Sequence, residues 1–360
     1  GPLVSLLQCA NHRPDHQAKL NQNTPMSTPR RVVVVAGQSL SHLISMLEFA
    51  AMCLRRGLAV TVAVPDPSLT APAFRSTIGR GTDLYATVLD VFGRIAGARG
   101  ILVNTFDALE GSAVSALRDG RCLRGRATPP VYCVGPLIAE GEEEEERHPC
   151  LPWLDVQPER SVVFLCFGSR CTVSLQQIGE MAKGLEKSGH RFLWVLRAPP
   201  AFAAAGGGPD AALSLLPEGF LARTADRGFV VTASWVPQVE VLRHSSTGAF
   251  VTHCGWNSTL EAVVAGVPMV CWPLVAEQWM NKVYIVQDMK VGVEVRGYKR
   301  GGLVRADDVD AAVRQIMDME PERRRALEER IMAVKKSAQA VWKEDGSSCT
   351  AFTEFMMQTE

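Results

Sequence analysis

Short runs of β-branched and apolar residues recur along this chain, each followed by a longer stretch with helical spacing. That alternation restricts the fold more than any other feature. Residues 32–36 form a continuous apolar run, as a strand covered on both faces requires. A loop, Gly37-Gln38-Ser39-Leu40, leads into a helical stretch over 42–56 that stops at Gly57, and a second strand over 59–64 ends at Pro65-Asp66-Pro67. A β–α–β unit of this kind places its two strands parallel in one sheet.

The rhythm lapses over residues 65–82, which are rich in turn formers. It resumes with a helix over 83–98, a strand over 101–104, a helix over 108–118 and a short strand over 131–133. As an open α/β domain this first part is thin. The five carboxylates Glu142 to Glu146 read as a solvated linker in preference to a cation site, because like charges repel and extend a chain. Beyond them the pattern is regular, with strands over 161–167, 192–196, 229–232, 248–252 and 269–271. Helices are expected over 175–188, 258–265, 277–287, 306–317 and 321–342, with a short one after Pro237 and a last one over 348–357. The divisions follow. Residues 1–29 are a patternless leader, vector-derived or upstream of a start at Met26. Residues 30–140 are a shortened N-terminal domain, 141–149 the acidic linker, 150–340 a doubly wound C-terminal domain, and 341–360 a segment whose helix packs back on the N-terminal domain.

Composition removes several classes of function. Lys plus Arg (38) equals Asp plus Glu (38), so no global basic field exists to hold nucleic acid or an anionic membrane, and any anion site is local. No apolar stretch reaches the ~20 residues of a membrane span. Ten cysteines without a C-x-x-C pair read as reduced thiols of a cytoplasmic protein, with neither a disulfide framework nor a metal site.

The chemistry concentrates where strands end. The run from Val251 to Glu261 (VTHCGWNSTLE) closes a strand at Thr252, turns at Gly255 and opens a helix at Ser258. Backbone N–H groups and the positive end of the helix dipole then meet side-chain donors from His253, Asn257 and Ser258, an arrangement suited to a pyrophosphate. Ser258-x-x-Glu261 is equally a capping box that needs no ligand. Trp235 stands at another strand end, where its ring either stacks on a base or packs. Glu277-Gln278 follows a third strand end. That acid–amide pair suits the vicinal hydroxyls of a sugar, although Glu277 also suits a helix's first turn.

The stretch from Trp235 to Gln278 resembles the signature box of plant family 1 UDP-sugar glycosyltransferases. The resemblance rests on W-x-P-Q at Trp235, L-x-H at Leu242 and His244, HCGWNS from His253, Glu261, G-V-P at Gly266 and the closing Glu277-Gln278. It continues through Trp153-Leu154-Asp155, residues 161–169, Gly184-Leu185-Glu186, Phe192-Leu193-Trp194, residues 100–110 and residues 32–66, and is strongest for the branch acting on flavonoids and related phenols.

The resemblance implies an α/β fold of GT-B type, with two Rossmann-like βαβ domains facing a cleft and the N-terminal one incomplete. It also implies roles. Trp235 stacks on uracil with Gln238 near the uridine, and Glu261 holds the ribose hydroxyls. His253, Asn257, Ser258 and Ser169 hold the diphosphate, while Trp256, Glu277 and Gln278 face the sugar, Trp256 and Gln278 favouring glucose. His42, after the first strand, is the base: it takes a phenol's proton as the oxygen attacks the anomeric carbon in line and inverts it. A phenol of pKa ~10 needs only a modest base of the histidine kind, pKa ~6.5. UDP-glucose is then the donor co-substrate and a small phenol the acceptor. No permanent cofactor, metal or nucleic acid is expected, and the protein is expected to be monomeric.

The chain departs from the family pattern between Asp66 and Thr82, where a block lining the acceptor pocket is missing. That block includes the aspartate that orients the histidine. Asp83 and Asp90 lie in a different context and take no such role. Ser41 and Cys171 stand where glycine is common. The alternative is a shortened form that binds UDP-sugar and transfers poorly or not at all. No G-x-G-x-x-G follows any strand, which disfavours a nicotinamide-dependent dehydrogenase on a similar fold.

Overall fold

The computed structural model describes residues 31–35, 59–63, 100–121, 128–138, 147–169, 171–199, 202, 210–232, 236–275, 278–298 and 302–358. The helices expected over 42–56 and 83–98, the turn-rich residues 65–82 and the acidic run 142–146 lie outside them. The chain divides into two compact units, one running to Ala139 and resuming over Lys336–Glu360, the other Glu140–Lys335.

In the first unit β1 (Arg31–Val35) pairs parallel with β2 (Ala59–Ala63), Arg31 opposite Ala59, as a β–α–β unit requires. A second parallel pair joins β3 (Ile101–Val103) to β4 (Val131–Cys133), connected through α1 (Asp107–Arg118). All three residues of β4 are buried.

The second unit begins with α2 (Cys150–Asp155) and continues as β5 (Val162–Cys166), α3 (Leu175–Ser188) and β6 (Arg191–Val195). Next come α4 (Phe220–Arg223), β7 (Gly228–Val231), α5 (Gln238–Arg243), β8 (Thr247–Thr252), α6 (Trp256–Ala265) and β9 (Met269–Cys271). It closes with α7 (Gln278–Val283), which runs into a π-helical turn over Tyr284–Asp288, then β10 (Gly292–Glu294) and α8 (Ala306–Met317). The long α9 (Pro321–Ala340) leads out of this unit to α10 (Ser347–Gln358) in the first. There Ser348 Oγ donates to Gly135 O, Trp342 Nε1 donates to Pro136 O at 3.2 Å, and Phe355 meets Tyr132 edge-on at 5.6 Å.

The strands of the second unit form one sheet in the order β10-β9-β8-β5-β6-β7, every pair parallel. Both faces are covered, so β5 is buried along its whole length. Phe164 and Phe250 stack across β5 and β8 at 5.2 Å, and each buried ring contributes about 2 kcal/mol of apolar burial. α3 starts because Ser174 Oγ accepts from Gln177 N, and it ends at Gly189 in the left-handed region at φ 71°. Its buried stripe of Ile178, Met181, Ala182 and Leu185 shares a core with Val309, Val313 and Ile316 of α8. The two helices lie so close that a methyl group on Gly184 would stand 2.6 Å from Val309 Cβ.

The edge strand β10 is not among the sequence expectations. Three half-buried residues between turns carry too little periodicity to announce a strand. Cys133, Cys150, Cys166, Cys171, Cys254 and Cys271 are free thiols, as reduced cysteines should be, whereas Cys349 is disulfide-bonded. Among the described residues no helix is long and apolar enough to cross a membrane.

Candidate functional site

Strand order locates the site before any side chain is considered. From β5 the chain winds outward through β6 and β7, then returns to β5's other side and winds the opposite way through β8, β9 and β10. The direction therefore reverses between β5 and β8. At such a switch point the following loops splay apart and leave a crevice beyond the strands' carboxyl ends. Two loops flank it: Phe167-Gly168-Ser169 after β5, and His253-Cys254-Gly255 after β8.

These loops close on the imidazole of His253. A methyl group on Gly168 would lie 2.7 Å from His253 Nε2, and one on Gly255 would lie 2.5 Å from the same atom. Any larger residue at either position would displace the ring. Gly168 also sits at φ 75°, open to glycine and strained for other residues. Cys254 takes φ 64° without being glycine, a strained conformation typical of functional loops. Thr252 Oγ1 accepts from Cys254 N at 3.2 Å, and Asn281 Nδ2 donates to Cys254 O at 2.9 Å, which hold it there. Beside His253, Ser169 Oγ is shielded from solvent and has no hydrogen-bond partner among the described residues. A shielded hydroxyl in that state can still donate to, or accept from, a polar ligand.

The helix facing the crevice begins earlier than its sequence suggests. α6 opens at Trp256 with Gly255 as N-cap, and no side chain caps it. Ser258 is thus inside the first turn. The capping-box reading fails because the tight turn at Gly255 has already set the helix going. A helix start without a capping side chain at its N-cap turns the positive end of its dipole towards an anion. Asn257 and Ser258 are buried in this turn, and Trp256 stands 6.3 Å from the ring of Tyr284.

A short chain of polar contacts extends the site. Gln238, first residue of α5, donates from Nε2 to Ser258 Oγ at 2.9 Å and to Glu261 Oε2 at 2.5 Å. Burial pushes the Glu261 carboxyl up to about 7, against the opposing pull of the Gln238 hydrogen bond and the Arg243 charge. Near neutrality this carboxyl takes up or releases a proton readily, and a diol donating to it would favour the charged form. Burial likewise pushes the Cys166 thiol to about 11 and raises Cys271, the latter with help from Cys254. Both stay neutral at physiological pH, so no thiolate competes with an anion at these strand ends.

Beyond β9, Gln278 is buried at the start of α7. Its Oε1 accepts from Leu274 N and Val275 N, each at 2.9 Å, and its Nε2 donates to Cys171 Sγ at 3.6 Å. Phe167 and Trp272 meet edge-on at 5.5 Å beneath these loops. The structure thus gathers Ser169, Gln238, His253, Trp256, Asn257, Ser258, Glu261 and Gln278 on loops and helix starts at one end of one sheet. His42, Trp235 and Glu277 lie outside the described residues.

Gly168 and Asn281 also shape the candidate site, and sequence reasoning singled out neither, while it read Thr252 and Gly255 only as a strand end and a turn. The two glycines were legible as turn formers but not as the walls around an imidazole. Nothing in the sequence marks Asn281 as the brace for Cys254, because the contact spans the loop and helix after β9. Among the described residues no cluster of three or more His, Cys, Asp or Glu is arranged to hold a metal ion.

Known proteins resemble the chain over most of its length. Residues 130–332 match the family described as UDP-glucoronosyl and UDP-glucosyl transferase. An anthocyanidin 5,3-O-glucosyltransferase from a Rosa hybrid cultivar is 51% identical over 241 residues, 67% of this chain and 50% of that protein. A phloretin 2'-O-glucosyltransferase from Pyrus communis is 48% identical over 292 residues, 78% of this chain and 60% of its own. The chain therefore spans about half to three-fifths of these relatives' length. Among solved structures, Phytolacca americana UGT2 complexed with UDP-2fluoro-glucose and pterostilbene superposes with TM-score 0.69 at 35% identity, covering 92% of this chain and 71% of that one. TcCGT1 in complex with UDP gives TM-score 0.74 at 29% identity, covering 93% and 78%.

Proposed function

The chain belongs to the UDP-glucoronosyl and UDP-glucosyl transferase family, its fold is of GT-B type, and on that premise we propose that it transfers glucose from UDP-glucose to a hydroxyl of a small phenolic acceptor. The observation that carries the reading is the convergence at the β5–β8 switch point. An orphaned Ser169 hydroxyl, a His253 ring walled by two glycines and a helix start without a side-chain cap meet there. A diphosphate matches all three. The ribose then reaches Glu261, whose carboxylate accepts from both hydroxyls while Gln238 braces it. Trp235 stacks on the uracil ring, and Trp256, Glu277 and Gln278 face the hexose.

In this reading His42 removes the acceptor's proton as the phenolic oxygen attacks the anomeric carbon from the face opposite the diphosphate. The configuration inverts. The C1–O bond to the diphosphate breaks with its electron pair leaving on UDP, and the α6 dipole, His253 and Ser169 stabilise that charge. These donors supply the electrostatic stabilisation that a metal would otherwise provide, so the reading assigns no metal. Acceptors of the flavonoid kind are proposed from the anthocyanidin and phloretin enzymes named above.

A second reading is a form that binds UDP-sugar without transferring it. The missing block after Asp66 favours this one, since the residues that would orient His42 fall there. Glucose transfer to a flavonoid panel, followed by mass spectrometry, separates the two. Product formation that disappears in His42→Ala supports the enzyme. UDP-glucose binding without product in the unaltered chain supports the second reading.

A further inference from the structure

The side-chain amide of Gln278 has an orientation that chemistry fixes. Its Oε1 accepts from two backbone N–H groups, Leu274 and Val275, a task only the carbonyl end of an amide can perform. The nitrogen end is thereby identified, and it points at Cys171 Sγ. Two bonds pin the oxygen, and the third contact sets the amide plane. Of the two Nε2 hydrogens one goes to sulfur, which leaves a single N–H to offer a ligand. Gln278 is 5% exposed, so water reaches little of the group.

Cys171 is itself half-buried, on the loop after β5 two residues beyond the orphaned Ser169 hydroxyl, and 107 residues from Gln278 in sequence. Its thiol therefore ties the loop after β5 to the helix start after β9. Sulfur is a weak acceptor, so the N–H that faces it is oriented without being strongly held.

We propose that Cys171 is a positioning residue for the donor sugar: by fixing the Gln278 amide it sets affinity and selectivity for the hexose and leaves the grip on the nucleotide untouched. This rests on the reading of the site as a UDP-sugar pocket with Gln278 at the hexose. It goes beyond that reading, which gives Cys171 no part in holding the donor.

The test is calorimetric titration of the whole chain with UDP, UDP-glucose and UDP-galactose. Cys171→Ala is expected to bind UDP within twofold of the unaltered protein and UDP-glucose about three- to tenfold more weakly, the scale of one lost hydrogen bond. Its preference for UDP-glucose over UDP-galactose should narrow. Cys171→Ser, which restores an acceptor, should recover most of the UDP-glucose affinity. The inference is overturned if Cys171→Ala binds UDP-glucose unchanged, or if UDP and UDP-glucose weaken equally, since the residue would then be inert or merely support the loop. If the unaltered chain binds no UDP, the donor-site reading fails and the inference with it, an outcome distinct from either of those.

Discussion

Glu261 shows how one buried carboxyl links fold to ligand. Burial holds its pKa near 7, so in the ligand-free protein at neutral pH the group is about half protonated. A ribose diol that donates two hydrogen bonds prefers the charged form. UDP affinity should therefore rise between pH 6 and 8, by less than tenfold per unit, and level off above. Titrations across that range should show proton release on binding at pH 6.5. Glu261→Gln should flatten the profile and weaken binding throughout. The sign for stability is opposite. A carboxyl raised from 4.5 to about 7 contributes fully below pH 4.5, and its contribution is lost as pH rises through 7. In Glu261→Gln that loss should vanish from denaturation midpoints measured between pH 4.5 and 7. The sequence announced Glu261 through its spacing after HCGWNS, but its shared hydrogen bond with Gln238 joins two helices and has no local signature.

Among the elements, the start of α6 and the α3–α8 contact carry the argument. The helix pattern gave α6 its end, at Gly266 with φ 79°, but misplaced its start by two residues. Ser258 and Glu261 form a capping signature that propensity reasoning honours, whereas the turn made by Gly255 begins the helix sooner. Strands β5 to β9 were legible because buried parallel strands are continuous apolar runs. β10 was not, because its pairing with β9 depends on Gly292 lying against Met269 and not on any periodicity. The α3–α8 contact depends on Gly184. Gly184→Ala should cost about 1–3 kcal/mol in urea denaturation, because Val309 Cβ and Ala306 O leave no room for a methyl group. A cost near zero would mean that the helices separate without penalty. A further tie joins Asp155 of α2 to Arg147 and to His244 after α5. Hydrogen bonds from Arg147 and then His244 hold the Asp155 carboxyl down to about 2. Its contribution is present above pH 3.8 and lost as pH falls towards 2, so Asp155→Asn should blunt the acid limb of the stability profile.

At the scale of the molecule, the second unit carries a six-stranded sheet with its switch point occupied by candidate donor residues. The described strands of the first unit form only two parallel pairs. The run of five carboxylates, Glu142 to Glu146, follows shortly after Ala139, where the leading segment of the first unit ends. The acceptor pocket was not readable, since residues 65–82 are rich in turn formers and carry no clear strand or helix pattern. Binding of the donor and transfer to the acceptor are therefore separable properties. The account stands or falls on the first. Calorimetric titration of the whole chain with UDP tests it most directly, beside His253→Ala. The account predicts saturable binding of one UDP per chain that weakens at least tenfold in the variant, as loss of a charge-stabilising donor at the diphosphate requires. No heat of binding in the unaltered chain, or equal affinity in both proteins, would contradict it.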